Sequence, residues 1–143
     1  MDQKFEALSG EDAAHVEKQR NWVKDHYEPE ARHNYDTLEG KLRLLDTIIQ
    51  SGWIEKSEKW KLQSLGITFG DALVQKLGLV WVTVEDEYGR DPALHDCGTT
   101  IVVFPLTAIS KRIERGESVN VYEMFDGFCE LIKDKRKLAS GPH

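Results

Sequence analysis

A β-branched and aromatic run stands in the middle of the chain: Leu79-Val80-Trp81-Val82-Thr83-Val84-Glu85. On an extended strand its three valines would project to one face, and Trp81 and Thr83 to the other. Residue types of this kind favour strands, because branched and aromatic side chains pack well on a pleated surface. Since the sequence on both sides is patterned for helices, the run predicts the sheet of an α+β domain.

A second β-rich run extends from Thr99 to Phe104 and is ended by Pro105. The segment between the two runs, Asp86-Glu87-Tyr88-Gly89-Arg90-Asp91-Pro92, is dense in residues that form turns. The pattern therefore predicts a small antiparallel sheet of two or three strands.

Three helices are predicted before the sheet. Each combines a polar residue at its start with apolar residues three and four positions apart and a glycine or proline at its end. Their limits are Ser9 to before Pro29, Asp36 to Gly52, and Ser57 to Gly78. Gly66 and Gly70 lie inside the third helix, where each costs about 1 kcal/mol relative to alanine. Their presence predicts that another element crosses this helix closely.

Two further helices are predicted after the sheet. Pro105 suits the first turn of one, which ends at Gly116, and Asn120 begins the other, which runs into the basic residues 133–137. The 143 residues are typical of a single domain over residues 1–143. Within it, residues 1–35 form a peripheral N-terminal helix and residues 53–138 form the core.

Charge and composition exclude several classes of protein. The formal net charge of -6 repels phosphate backbones and anionic lipids, which argues against nucleic acid and membranes as partners. No apolar run approaches the roughly 18 residues of a membrane span, and the N-terminus lacks the apolar run of a signal peptide. The sequence thus predicts a soluble cytoplasmic protein in which Cys97 and Cys129 remain thiols, with Cys129 buried.

The sequence carries none of the well-marked enzyme motifs, such as a P-loop, a dinucleotide-binding glycine turn or a zinc-protease helix. We therefore expect no catalytic residue, no metal and no cofactor. The densest polar cluster lies around residues 85–97. It consists of Glu85, Asp86, Glu87, Asp91, His95, Asp96 and Cys97. Adjacent residues of an extended chain point to opposite faces, so the cluster predicts a solvated connection better than a metal site.

Four tryptophans are numerous for this length, and tryptophan is enriched among binding hot spots. They are Trp22, Trp53, Trp60 and Trp81. Trp53 lies in a connection and Trp60 lies early in the third helix, so these two are expected to be partly exposed. For both, packing against the core is the simpler interpretation.

Several short motifs follow one another from about residue 60 to residue 125. They are Leu65-Gly66, Phe69-Gly70-Asp71, Leu77-Gly78-Leu79, Trp81, Asp86-Glu87-Tyr88-Gly89, Phe104-Pro105-Leu106, Lys111-Arg112-Ile113-Glu114 and Gly116-Glu117. In these motifs the chain resembles a bacterial family of domains of unknown function, DUF3806. The resemblance covers about half of the chain, and the residues before about Trp53 lie outside it.

The resemblance implies a helix, a short β-hairpin and further helices, and it brings no activity with it. Such domains are also similar to small modules found near bacterial toxin and immunity systems. The family pattern singles out candidate ligand- or partner-binding residues: Asp71, Trp81, Asp86, Tyr88, Lys111 and Arg112. It also singles out Pro105, for which the start of a helix is sufficient explanation. For Asp71, an internal ion pair with Lys111 or Arg112 is an alternative.

The leading hypothesis is a non-enzymatic module that binds another protein, with a regulatory or immunity-like role. A second hypothesis is a hydrolase or metal-dependent enzyme that uses Asp86, Asp91 and His95 near the 86–97 loop. A third is a structural homodimer that associates through an apolar helix face or through the edge of the hairpin.

Overall fold

The computed structural model describes residues 4–87 and 89–140, with side chains described up to residue 138. Within these ranges there are four strands, five α-helices and one 3-10 helix. The strands are β1 (Lys4–Ala7), β2 (Val80–Asp86), β3 (Gly89–His95) and β4 (Val102–Val103). The α-helices are α1 (Gly10–Lys24), α2 (Leu38–Ser51), α3 (Lys59–Leu77), α4 (Leu106–Glu114) and α5 (Val121–Ser140). The 3-10 helix spans Pro29–Asp36. The predicted α+β class is confirmed.

The sheet has four strands in the order β1-β2-β3-β4, and every neighbouring pair is antiparallel. The prediction of two or three strands was wrong in its count. It missed β1, whose four residues are too few to give a clear alternation. It also missed β3, because the turn-forming residues 89–92 belong to a strand that pairs with β2 from Gly89 opposite Asp86 onward.

Proline is tolerated in β3 because β4 covers only part of that strand. The two residues of β4 pair with Leu94 and His95, and Pro92 lies beyond them on the uncovered edge. A proline, which lacks a backbone N–H, is confined to such edges. Most of the predicted second run, residues 99–104, does not pair, because a turn precedes β4. Two hydrogen bonds close this turn: the Asp96 N–H donates to the Ile101 carbonyl, and the Thr99 N–H donates to the Asp96 carbonyl.

The helix limits follow the capping signals closely at three ends. The Thr37 hydroxyl accepts a hydrogen bond from the Gly40 N–H at the start of α2. Gly78 ends α3 in the left-handed region, with φ of +71°. The Asn120 side-chain oxygen accepts hydrogen bonds from two backbone N–H groups in the first turn of α5. The first helix was predicted too long: α1 ends at Lys24, and a separate 3-10 helix begins at Pro29.

Helix α3 lies at the centre of the core. Its residues Leu62, Leu65, Phe69 and Leu73 are fully buried, and it packs against α1, α2, α4 and α5. None of the helices in the two described ranges is both long enough and apolar enough to cross a membrane. Cys129 is buried in the core as predicted, and burial raises the pKa of its thiol.

The two glycines inside α3 lie where other elements cross it, as predicted. A Cβ atom on Gly66 would lie 2.6 Å from the Leu106 Cα atom and from the Pro105 carbonyl oxygen. A Cβ atom on Gly70 would lie 2.6 Å from the indole ring of Trp81. Both distances are shorter than van der Waals contact, so glycine is what allows α4 and β2 to approach α3.

Candidate functional site

Asp71 lies at the centre of a polar cluster that joins four elements of the fold. Its Oδ2 atom accepts hydrogen bonds from Arg20 Nε at 2.6 Å and from the Tyr35 hydroxyl at 2.7 Å. Its Oδ1 atom accepts from Arg20 Nη2 at 2.8 Å and from Trp81 Nε1 at 2.9 Å. We call Asp71, Arg20, Tyr35 and Trp81 the Asp71 cluster.

The hydrogen bonds of the Asp71 cluster tie α1, the 3-10 helix, α3 and β2 together. A carboxylate has about four lone-pair sites, and four donors occupy those of Asp71. The Asp71 side chain is only 11% exposed, and that of its partner Arg20 is 24% exposed. Burial, followed by the charge of Asp71, raises the pKa of Tyr35, so its hydroxyl remains a donor at neutral pH. In this structure the oxygens of Asp71 are therefore occupied by groups of the protein itself.

The ion pair of Asp71 differs from the predicted one. The alternative considered from the sequence was a pair with Lys111 or Arg112, but the cation is Arg20 of α1. Both α4 residues are exposed near the end of that helix. A signal for Arg20 is present in the sequence, because it stands four residues after Val16 and three before Val23, both of which are buried. A charge at that spacing lies on the buried face of the helix and needs a partner.

The other candidate residues that the structure describes do not converge with Asp71 and Trp81. Asp86 is half-buried at the end of β2, where it pairs with Gly89 of β3. Tyr88 lies outside the described residues. Of the five candidates within the described ranges, the structure thus brings two together. Arg20 and Tyr35, which complete the cluster, were not predicted.

Two carboxylates of the acidic stretch around residues 85–97 are bound by arginines. Arg90 binds Glu85, and it also binds Glu6 of β1 and Asp12 of α1 at 3.1 and 2.9 Å. The hydrogen bond from Arg90 lowers the pKa of Asp12. Asp96 is bound by Arg136 of α5 at 2.8 Å. These ion pairs fasten the sheet to the helices.

The residues of the metal-enzyme hypothesis are spread along the hairpin. Asp86 lies at its closed end, and Asp91 and His95 lie four residues apart on β3, which is about 13 Å along a strand. His95 Nε2 lies 2.8 Å from the Thr99 carbonyl oxygen. Since a carbonyl only accepts, this nitrogen carries the proton and donates. Within residues 4–87 and 89–140, no three His, Cys, Asp or Glu side chains are grouped in a way that could hold a metal ion.

Three tryptophans and a histidine form a cluster where α1 meets the connection between α2 and α3. Trp22 contacts Trp53 and Trp60, with ring centroids 6.0 and 5.9 Å apart, and His26 stacks on Trp53. Trp53 is 44% exposed, and Trp60 is partly buried, as predicted. These ring contacts join α1 to the connection between α2 and α3.

The two faces of the sheet differ in what covers them. Trp81 and Thr83 of β2 face the helices, where they bond Asp71 and Asp12. The alternate residues lie on the opposite, outer face, and their buried members Val82, Val84 and Ala93 form a small cluster separate from the main core.

The outer face carries an exposed apolar patch centred on His95. Val80 and Val102 lie directly opposite His95 on the two neighbouring strands, and the Phe5 ring stacks on the His95 ring at 5.2 Å. We call Phe5, Val80, His95 and Val102 the outer patch. Phe5 is 43% exposed and Val80 is 45% exposed, and Phe104, which directly follows β4, is 41% exposed. Large apolar groups exposed together on a sheet are typical of an interaction surface.

Comparison with known proteins places the chain in a family without a known function. The family described as a domain of unknown function, DUF3806, matches residues 41–125. The match begins earlier than expected, since it includes most of α2. No functionally curated protein matches the sequence.

One solved structure from Bacteroides thetaiotaomicron VPI-5482 has a similar fold, with a TM-score of 0.72 and 18% sequence identity. The alignment covers 90% of this chain and 48% of the other, so the chain spans about half the length of that protein.

Proposed function

We propose that this protein, which belongs to the DUF3806 family, is a non-enzymatic module that binds another protein through the outer patch. The observation that carries the proposal is the joint exposure of Phe5 and Val80 around His95, on a sheet face whose central residues Val82, Val84 and Ala93 are buried. Burial of apolar surface of this kind is the main favourable term in protein association. A regulatory or immunity-like role, in which binding neutralises the partner, is the specific version of this proposal.

The charges beside the outer patch indicate what kind of partner fits. Asp91, which is exposed, lies on the same sheet face by register, toward the closed end of the hairpin. The outer patch is therefore followed along β3 by an acidic side chain. Complementary charge gives specificity and faster association, so the best-suited partner is a protein whose apolar surface is bordered by lysine or arginine.

A photoreactive amino acid at position 80 tests the outer patch. In the cells that naturally make the protein, we expect the probe at Val80 to give an adduct of defined mass with one partner protein. Leu131 of α5 is the matched control position, because it is apolar and 49% exposed but lies off the sheet. The same probe there should give no such adduct.

A competing substitution completes that test. The exposed Val80→Lys change should abolish the adduct formed by a probe at Phe5, while thermal stability changes little, as is usual for surface substitutions. Leu131→Lys should leave the adduct intact. Equal crosslinking from both probe positions, or an adduct that survives Val80→Lys, would contradict binding through the outer patch.

Self-association is a second candidate function, favoured by the edge strand β1. Its residues Lys4–Ala7 are all exposed, and β2 pairs with only one of its edges. If two copies paired antiparallel about Phe5, Lys4 of each would lie opposite Glu6 of the other, and the two phenylalanines would meet. Opposite charges and aromatic pairs across strands both stabilise pairing.

Light scattering tests this second candidate. A dimer through β1 predicts a doubled mass at high protein concentration, which Phe5→Pro should reduce to the monomer, because proline removes a backbone donor from the edge. The control is Leu131→Lys on α5, which should leave the dimer unchanged; proline is not used there because it would break the helix. A monomer of constant mass over the accessible concentrations would rule out self-association and leave the outer patch available to a different protein.

A further inference from the structure

A half-open groove lies on a different part of the molecule, between the C-terminal ends of α2 and α4. Its volume is about 530 Å³, which falls within the range of small-molecule sites. Its apolar lining consists of Ile48, Ile49, Ile54, Leu65, Ile113 and Val119. Such a lining suits a hydrocarbon chain or ring, and none of these residues belongs to the outer patch.

The polar side chains that line the groove are those of Gln50, Lys56, Glu117, Ser118 and Asn120. Lys56 lines it, and its Nζ atom lies 3.6 Å from where a Cβ atom of Gly116 would be. Among the described residues, no carboxylate lies within ion-pair distance of Lys56, whereas the acidic Glu117 of the groove is bound by Arg115. Asn120 uses its side-chain oxygen to cap α5, so what it offers to a ligand is its NH₂ group.

The carbonyl groups at the C-terminal ends of α2 and α4 also affect how well the groove accepts an anion. Free carbonyl groups at a helix C-terminus would repel an anion. At α2, the Ile48 carbonyl accepts from the Ser51 hydroxyl and the Ile49 carbonyl from the Gly52 N–H. At α4, the Ile113 and Arg112 carbonyls accept from the N–H groups of residues 116 and 117. These bonds reduce the repulsion that the two helix ends exert on an anion, and Lys56 supplies the charge that attracts one.

We propose that this groove binds a small amphipathic carboxylate. The apolar part of the ligand packs against the isoleucines, and its carboxylate accepts hydrogen bonds from Lys56 Nζ and Asn120 Nδ2. A lysine supplies the charge and a neutral amide helps to orient the acceptor, while the half-open shape allows entry without a large movement. The site is independent of the outer patch, so either proposal can fail without the other.

Three probes with the same hydrocarbon chain test the head-group preference. Isothermal titration with octanoate, octanol and octylamine should give saturable binding of octanoate, weaker binding of octanol and no binding of octylamine. Lys56→Gln should weaken the binding of octanoate by roughly fivefold, as expected for the loss of a partly exposed ion pair, and leave the binding of octanol unchanged. Lys59→Gln is the matched control, because Lys59 is also exposed but does not line the groove, and it should have no effect.

A second variant tests the location. Ser118 is exposed at the groove, so Ser118→Trp should fill it without disturbing the core and should abolish binding of both octanoate and octanol. The absence of octanoate binding to the unaltered protein would overturn the proposal. So would equal binding of octanoate and octylamine, or octanoate binding that survives both Lys56→Gln and Ser118→Trp.

Discussion

Asp71→Asn is expected to cost about 3 kcal/mol of folding free energy, because it leaves a partly buried arginine without its counter-charge. The substitution keeps the shape of the side chain but replaces one acceptor oxygen by a donor. That donor would face Arg20 and either Tyr35 or Trp81, all of which already donate. For a domain of this size, the loss corresponds to a fall of about 10 °C in Tm. Urea denaturation followed by tryptophan fluorescence measures it.

The matched control acts on the same arginine. Glu17 also binds Arg20, but its side chain is 56% exposed. Glu17→Gln should therefore cost less than about 1 kcal/mol, as exposed ion pairs do. Equal losses for the two variants would show that the four hydrogen bonds to Asp71 do not hold the fold in the way described.

Gly66→Ala should destabilise the protein by about 2 kcal/mol, although alanine is the better helix former by about 1 kcal/mol. The reason is that the added Cβ atom meets the backbone of Pro105 and Leu106 at 2.6 Å. Backbone atoms cannot rotate away as a side chain does, so α4 must shift away from α3. Chemical denaturation of the two proteins measures the difference.

Gly127→Ala is the corresponding control, with the opposite expected sign. Gly127 lies inside α5, and a Cβ atom there would meet nothing within 4 Å. Only helix propensity then acts, so this variant should be more stable by about 0.5–1 kcal/mol. A stabilising Gly66→Ala would contradict the close crossing of α3 and α4.

Local signals predicted the helices well and the sheet poorly. Thr37, Gly78 and Asn120 act on backbone groups within a few residues of themselves, so the helix ends that they mark are legible in the sequence. Strand β1 has no such local signal, because its partner β2 lies more than 70 residues away along the chain. Its pairing depends on which surfaces meet after the helices have packed.

The candidate site shows the same division. The family motif drew attention to Asp71 and Trp81, which do contact each other. Their cation, Arg20, lies on a helix outside the matched residues 41–125. The convergence of four hydrogen bonds on Asp71 is visible only in the structure, because no spacing in the sequence indicates it.

The central run of residues 79–85 was sufficient to place a strand among helices, since alternation and residue type are properties of the run itself. The sequence of this run does not determine which residues on the two faces of the strand become buried. The alternate residues on both faces are apolar or β-branched, and pattern alone does not distinguish them. Trp81 and Thr83 bond Asp71 of α3 and Asp12 of α1 on one face, whereas on the other face Val82 and Val84 are buried and Val80 is exposed. Three valines of the same pattern thus differ in exposure, because burial depends on which surfaces meet in the folded protein and not on residue type.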